Sequence, residues 1–444
     1  LDNAGDMKCW GGNNYGALGN PSLGTGDNAL EPVVVGNADG VDIDGTAHVF
    51  NEGDVEDMAG GWLHHCALER EQSGGTKVWC WGYNGFGQVG DGTSSSRNFP
   101  VLVKHLNGSA LTGVSRLALG WDTTCAAMSA GGVMCWGRNE EAWGFACGDG
   151  TSGHKYNPVW VKMSADRSDL QGAVRELYAG QFSFCALFDD DLDRMVCWGQ
   201  NTMGITNPGV DPGTTTHDGM AREITYFKDQ GKRVKSLGLG SDHSCALLTT
   251  GTVECWGENY KGQLGVNCGT ASFVPAQVPG LSRVASIGGG NRFTCAIISS
   301  TGEVKCWGTN DVNQHGSGIA NNHYDNTGAS LGVDDQAYCG VTSSVANMGR
   351  NGNPFARVLA VSWYHTCATM HDFTIRCWGK NTAGQLGDHQ RVTTSPETVG
   401  REPVTVILSK GPPEVNFTAF DTRRACGCCD DRMKAMNFNT DCKA

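Results

Sequence analysis

The tripeptide Cys-Trp-Gly occurs seven times in this chain, beginning at Cys9, Cys80, Cys135, Cys197, Cys255, Cys306 and Cys377. Its spacing, 71, 55, 62, 58, 51 and 71 residues, is too long for a two-helix repeat and suits a four-stranded sheet with its turns. The context repeats as well. After the motif comes a Gly-rich stretch, as in "CWGYNGFGQVGDGT" and "CWGKNTAGQLGD", then a Pro and a Val-containing strand such as "FPVLV" or "VPAQV". Before it comes a Gly and then Cys-Ala, as in "GGWLHHCAL", "LGWDTTCAAM", "AGQFSFCALF" and "SWYHTCATM". Between Cys-Ala and Cys-Trp-Gly the pattern is a hairpin. In "CALLTTGTVECWG" two apolar runs flank Thr249 to Thr252, and Gly251 supplies the positive φ of a tight turn.

Composition agrees with short strands and many turns. Of 444 residues 64 are Gly and only 18% are charged. The net charge of −13 gives no basic face for nucleic acid. No apolar run of membrane-spanning length occurs, and the first residues lack a signal-peptide pattern, so any secretory signal lies outside these residues. Twenty cysteines, most at matched positions, point to disulfides made in an oxidising compartment.

The repeat resembles the regulator of chromosome condensation family, in particular a secreted, cysteine-bearing branch in which the blade motif carries Cys-Ala and Cys-Trp-Gly. The resemblance implies an all-β fold: a seven-bladed β-propeller of four-stranded antiparallel blades over residues 1–410, closed by C-terminal strands to about 420 and followed by a cysteine-rich tail, 421–444. The physical reading agrees, because a blade cannot bury its faces alone and a closed ring protects its edges.

The Cys-Ala and Cys-Trp-Gly cysteines stand 10 to 14 positions apart, on facing strands of one hairpin. The expected pairs are Cys66 with Cys80, Cys125 with Cys135, Cys185 with Cys197, Cys245 with Cys255, Cys295 with Cys306, and Cys367 with Cys377. Zinc would need close Cys or His pairs that no blade has. Cys268 with Cys339 is a further expected bridge, pinning the longest insertion. Cys9 has no upstream partner, and the even cysteine count points to Cys426, Cys428 or Cys429 in the tail, where Cys442 also lies. Cys147 is left unassigned.

The seven motif tryptophans are expected in the core, between blades. Trp62, Trp121 and Trp363, in "GWLHH", "GWDTT" and "SWYHT", resemble a motif of the ultraviolet-B-sensing plant members of the family. Light sensing needs a tight tryptophan cluster, and these three are expected to lie scattered around the ring, which argues against that role. His65, His243 and His365 fill the slot where the family places a His bonded within the blade. No nucleophile elbow, phosphate loop or H-E-x-x-H motif occurs, so nothing marks an enzyme or a cofactor.

Asp189, Asp191 and Asp193 alternate in "FDDDLDRM" as calcium ligands do, but the loop lacks the turning Gly, and a solvated hairpin tip is the stronger reading. Asp39, Asp42 and Asp44 are an equally weak set. Sequons at Asn107 and Asn416 mark candidate N-glycosylation sites. Three blades are enlarged, near residues 36–57, 202–220 and 317–353, where loops on a rigid scaffold would carry recognition. Leu1 falls inside a hairpin, so "PVTVILSK" and "EVNFTAF" are expected to complete the blade that residues 1–11 begin.

The sequence therefore points to a non-catalytic extracellular module that binds another protein or a glycan, or builds a secreted coat or filament by self-assembly. A secreted inhibitor is the alternative, since one bacterial β-lactamase inhibitory protein shares the propeller. A guanine-nucleotide exchange factor, the founding member's role, is disfavoured by the acidic charge and the paired cysteines.

Overall fold

Strands in this chain are short because every few residues a Gly or an Asn turn interrupts the apolar run. The computed structural model describes residues 7–36, 50, 54–71, 74–190, 193–201, 204–210, 219–266, 269, 271–317, 342–349, 352–389 and 402–406. Among them stand six four-stranded antiparallel sheets and one two-stranded sheet, each built from consecutive strands. The expectation of seven four-stranded blades is thus corrected to six. Numbering blades by the motif copy they carry, blade 2 comprises Val55–Gly60, His64–Arg70, Thr76–Gly82 and Arg97–Leu102. Blade 5 repeats it with Val234–Leu239, His243–Leu248, Val253–Gly257 and Ser272–Gln277. The first motif copy forms only Lys8–Gly11, paired with Ala29–Val34.

The two middle strands of blade 5 are buried at every position, on both faces, so their sequence shows no alternation. The outer strand is mostly half-buried or exposed, as in Ser272–Gln277, where Pro275 alone is buried. The first strands of successive blades pack side by side around the axis. In each blade the two cysteines are directly opposite, as Cys245 is to Cys255, and all six intrablade pairs are disulfides with Cα atoms 4.0–4.1 Å apart. Cys9 is also disulfide-bonded.

The motif tryptophans hold the ring together. Trp136 Nε1 donates to the Gln88 carbonyl of the preceding blade (3.0 Å), and Trp256, Trp307 and Trp378 do the same to Ile205, Gln263 and Gln314. Trp10 donates to Gln385 of blade 7, and Trp81 to Ala17 beside the two-stranded sheet, both at 3.1 Å. The two-stranded sheet therefore sits between blades 7 and 2 and closes the ring. Trp198 breaks the series: its Nε1 is buried with no hydrogen-bond acceptor.

The expected use of "PVTVILSK" is corrected. Val404–Thr405 pairs with Arg376 and Cys377 as the outer strand of blade 7, so it does not complete the first copy's sheet. Its neighbour within blade 7, Ile375–Gly379, carries the seventh motif, and a strand directly after it in the chain closes the same sheet by the shortest connection. Residues 1–6, "EVNFTAF", the tail cysteines, Cys268 and Cys339, Asn416, and Asp39, Asp42 and Asp44 lie outside the described residues, as do most of the three insertions.

Candidate functional site

Each four-stranded blade passes from its first to its second strand through one short turn, and six such turns ring the axis on one face. The turns begin at Gly61, Gly120, Gly180, Gly240, Gly290 and Ser362, whose N–H bonds three residues ahead, as Gly240 does to His243 (2.9 Å). Gly is required by close approach: a Cβ on Gly180 would lie 2.6 Å from the Gly240 carbonyl oxygen of the next blade. Neighbouring turns are also joined by backbone bonds, Trp62 N–H to the Trp121 carbonyl (3.3 Å), Trp121 N–H to Gln181 (2.9 Å) and Asn291 N–H to Trp363 (3.1 Å).

The next residue in each turn is Trp62, Trp121, Gln181, Ser241, Asn291 or Trp363, and the backbone leaves its side chain free to differ from blade to blade. The three tryptophans converge. Trp121 stacks on Trp363 at 4.5 Å and 26°, and on Trp62 at 4.8 Å and 24°. Phe182 meets Trp121 edge-on at 5.6 Å. The expectation that these tryptophans are scattered is thereby corrected: a small ring radius brings the turns of blades 2, 3 and 7 within reach of long side chains. Trp62 is 51% exposed and presents an open indole face. Trp121 and Trp363 are half-buried, and Trp121 Nε1 is buried with no acceptor. Beneath the stack the first strands enclose an axial cavity of about 130 Å³, lined by backbone at Gly60, Gly120, Gly180 and Gly290 among others.

Charged groups brace this mouth. Arg138 lies over Phe86 (4.6 Å to the centroid) and near Phe182 (5.7 Å), and its guanidinium bonds Asp122 (3.4 Å) and Glu140 (3.1 Å). Burial raises the Asp122 carboxyl above its usual range, against the pull of Arg138. Across the axis Arg292 bonds Asp242 (3.3 Å) and covers Tyr260 (5.0 Å), while Lys380 sits over Tyr364 (4.9 Å). Burial raises the Tyr83 and Tyr260 phenols.

The His slot is corrected in one blade. His64, not His65, occupies it, two residues before the cysteine, and its Nε2 bonds Thr124 Oγ1 of blade 3 (2.9 Å). His243 makes the equivalent bond to Thr294 of blade 6 (2.7 Å), so these bonds run between blades and not within one. Burial holds His64 at about 3, and His243 and His365 at about 4. His65 instead packs beside Trp81, ring centroids 6.0 Å apart.

The calcium reading fails at Asp193, which bonds Arg233 (2.6 Å) and lies 3.9 Å from Arg175, while Asp189 is exposed and Asp191 is outside the described residues. Two opposed guanidiniums already neutralise that carboxylate. Among the described residues no group of three His, Cys, Asp or Glu could hold a metal. Cys147 is a free, buried thiol pushed up by burial; its backbone N–H donates to Asn139 (3.0 Å), as that of Leu264 does to Asn259 (3.2 Å). It therefore fills a core position. No helix among the described residues is long and apolar enough to cross a membrane.

Sequence reasoning missed one feature that seven copies displayed. The residue four after each motif cysteine is Asn: Asn13, Asn84, Asn139, Asn201, Asn259, Asn310 and Asn381. All are buried, and each side-chain oxygen accepts a backbone N–H from further along its Gly-rich loop. These loops frame the same face as the tryptophans.

Comparison with known proteins agrees with this architecture. Two signatures described as the regulator of chromosome condensation (RCC1) repeat match residues 77–127 and 250–297, and residues 114–141 and 234–263. The chain is 26% identical over 324 residues to the ultraviolet-B receptor UVR8 of Arabidopsis thaliana, covering 70% of this chain and 63% of that protein. It is 27% identical over 312 residues to the human E3 ubiquitin-protein ligase HERC2, covering 69% of this chain and 6% of that protein. The chain thus spans less than two thirds of the length of these curated relatives. Among solved structures, Prp20p of Saccharomyces cerevisiae superposes with a TM-score of 0.66 at 20% identity, covering 90% of this chain and 86% of that one. Human WBSCR16 superposes with a TM-score of 0.65 at 17% identity, covering 90% and 94%.

Proposed function

This chain belongs to the regulator of chromosome condensation repeat family, and from that premise we propose that it is a non-catalytic, extracellular module that binds a protein partner through the tryptophan-lined mouth. The observation that carries the reading is the set of six intrablade disulfides, since a reducing compartment would keep such cysteines as thiols. The mouth is the favoured surface because Trp62 is a large, rigid, exposed aromatic anchor, of the kind that dominates interface energetics. The solved yeast propellers include one bound to Kap60, which supports recognition without chemistry as a use of this fold. A building block of a secreted assembly, a glycan binder or an inhibitor would use the same face.

Peptide mapping without reduction, on protein from its native source, tests the compartment. The six pairs are expected, and free blade thiols would overturn the reading. Crosslinking in that source's extracellular fluid, with wild type and Trp62→Ala side by side, tests the surface. A partner captured equally by both places the interface elsewhere.

A second reading, ultraviolet sensing, is favoured by one observation, the Trp62–Trp121–Trp363 stack, together with the match to an ultraviolet-B receptor. Illumination at ultraviolet-B wavelengths would then change the near-ultraviolet dichroism or the oligomeric state reversibly. An unchanged spectrum and mass would reject it.

A further inference from the structure

The connector from blade 2 to blade 3 forms a small stem with an exposed tip. Lys104 bridges Ala110, His105 N–H donates to the Ser109 carbonyl (2.8 Å), and Gly108 N–H to that of His105 (2.8 Å). Leu106 is 90% exposed, Asn107, Gly108 and Ser109 are exposed with it, and a Cβ on Gly108 would meet nothing within 4 Å. The tip reads Asn-Gly-Ser.

Asn107 is held in a defined geometry. Its Oδ1 accepts from both the Ser109 N–H (3.0 Å) and the Ser109 hydroxyl (2.7 Å), while its Nδ2 has no partner among the described residues and faces solvent at an exposed position. The hydroxyl that bonds the carboxamide oxygen belongs to the sequon's own third residue, so the two sequon side chains are already held together. Nothing lies within 4 Å of where a Cβ on Gly108 would stand, so the tip is open on that side to a transferase and to a bulky product.

We propose that Asn107 is an N-glycosylation site that takes an oligosaccharide from a lipid diphosphate donor. In the transfer Asn107 Nδ2 attacks the anomeric carbon, a C–N bond forms, and the C–O bond to the diphosphate breaks. The lipid diphosphate leaves with that electron pair, and Nδ2 gives up one proton to a base of the transferase. The site rests on the extracellular reading, because this donor serves the secretory lumen.

The topology fixes where the glycan stands. Strands alternate in direction within each blade, so turns from first to second strands lie on one face and connectors from fourth to first strands on the other. Asn107 is therefore on the face opposite Trp62, Trp121 and Trp363. A glycan there shields that face and leaves the tryptophan mouth open.

The test is secretion of the full chain from a eukaryotic host, with peptide mass mapping before and after peptide N-glycosidase treatment. Wild type and Ser109→Thr are expected to yield an Asn107 peptide that carries glycan and is converted to Asp by the enzyme. Ser109→Ala is expected to yield the unmodified peptide, with its blade disulfides intact. An unmodified Asn107 peptide from wild-type protein whose six disulfides have formed would overturn the site alone. Free blade thiols in the secreted protein would overturn the extracellular reading and the site together.

Discussion

Acidification tests the bonds between blades. His64 and His243 are wholly buried, and each presents Nε2 to a Thr hydroxyl of the next blade. Burial is the largest cause of the lowering that puts His64 at about 3 and His243 at about 4, from an ordinary 6.5. His65 adds repulsion at His64, and Asp242 partly offsets the burial at His243. Between pH 6.5 and 4 the unfolded chain binds protons that the folded chain refuses, so the stability is full above 6.5 and is lost as pH falls. One such group loses roughly 1.4 kcal/mol per pH unit, or about 2 kcal/mol between pH 7 and pH 5. Chemical denaturation midpoints of the wild type and of His243→Asn, measured at pH 7, 6 and 5, isolate this contribution. The raised Asp122 and Glu69 carboxyls act in the opposite sense but are common to both proteins and cancel in the difference. The variant should be less stable at pH 7, because its amide replaces a fitted ring, and the gap should close by about 2 kcal/mol at pH 5. A gap that stays constant with pH would refute the argument, since it would mean that His243 ionises equally in both states.

Three other perturbations follow from the same geometry. Replacing both Cys245 and Cys255 by Ala opens a short loop and should lower stability by roughly 3 kcal/mol in the chain-entropy account, read as a fall in melting temperature. Trp121→Ala removes two stacked pairs and one edge contact, roughly 0.5–1.5 kcal/mol each, and should abolish the coupled near-ultraviolet dichroism of the stack while Trp62→Ala leaves part of it. Gly180→Ala puts a methyl 2.6 Å from the Gly240 carbonyl and should destabilise by more than Gly153→Ala, where nothing lies within 4 Å and only the positive φ of 92° is strained. Parallel urea titrations decide the last comparison.

The cysteine framework was legible because it depends on a local rule: residues facing one another in a hairpin are set by strand register, and register is set by the turn. The core role of Trp81, Trp136 and Trp256 was legible for a similar reason, since each blade repeats the same contact with its neighbour. The tryptophan stack was not, because distances across the axis depend on ring radius and side-chain reach, neither of which a repeat motif contains. His64 was confused with His65 because both precede Cys66 and only the strand pairing shows which of them faces the next blade. Val404–Thr405 was assigned to the wrong sheet because a short apolar run does not say which strand it pairs with, and the hydrogen-bonding partner is a tertiary choice. The Asn four residues after each motif cysteine was visible in every copy, and its regularity alone marks it as loop framework.

What repeats in this ring and what varies belong to different physical demands. The Gly that begins five of the six first turns, the Asn of each loop and the Trp of each motif meet a neighbouring blade or their own backbone, so a change at any of them damages a seam. The residue after the first residue of each turn is anchored through its main chain in several blades, as Trp121 is through Gln181 and Asn291 through Trp363, while its side chain differs from blade to blade, Ser241 bonding Asn291 and the tryptophans stacking. Positions of fixed backbone and free side chain are where a repeat scaffold acquires specificity without losing stability. Here three of six such positions hold Trp, and they lie close enough to stack although their codons are as much as 301 residues apart, from Trp62 to Trp363. Nothing in ring closure requires that: Gln181, Ser241 and Asn291 close the same turns without aromatic rings. The stack is therefore the feature of this face that the fold leaves unexplained, and it is on Trp62, the member with an open face, that a test of function belongs.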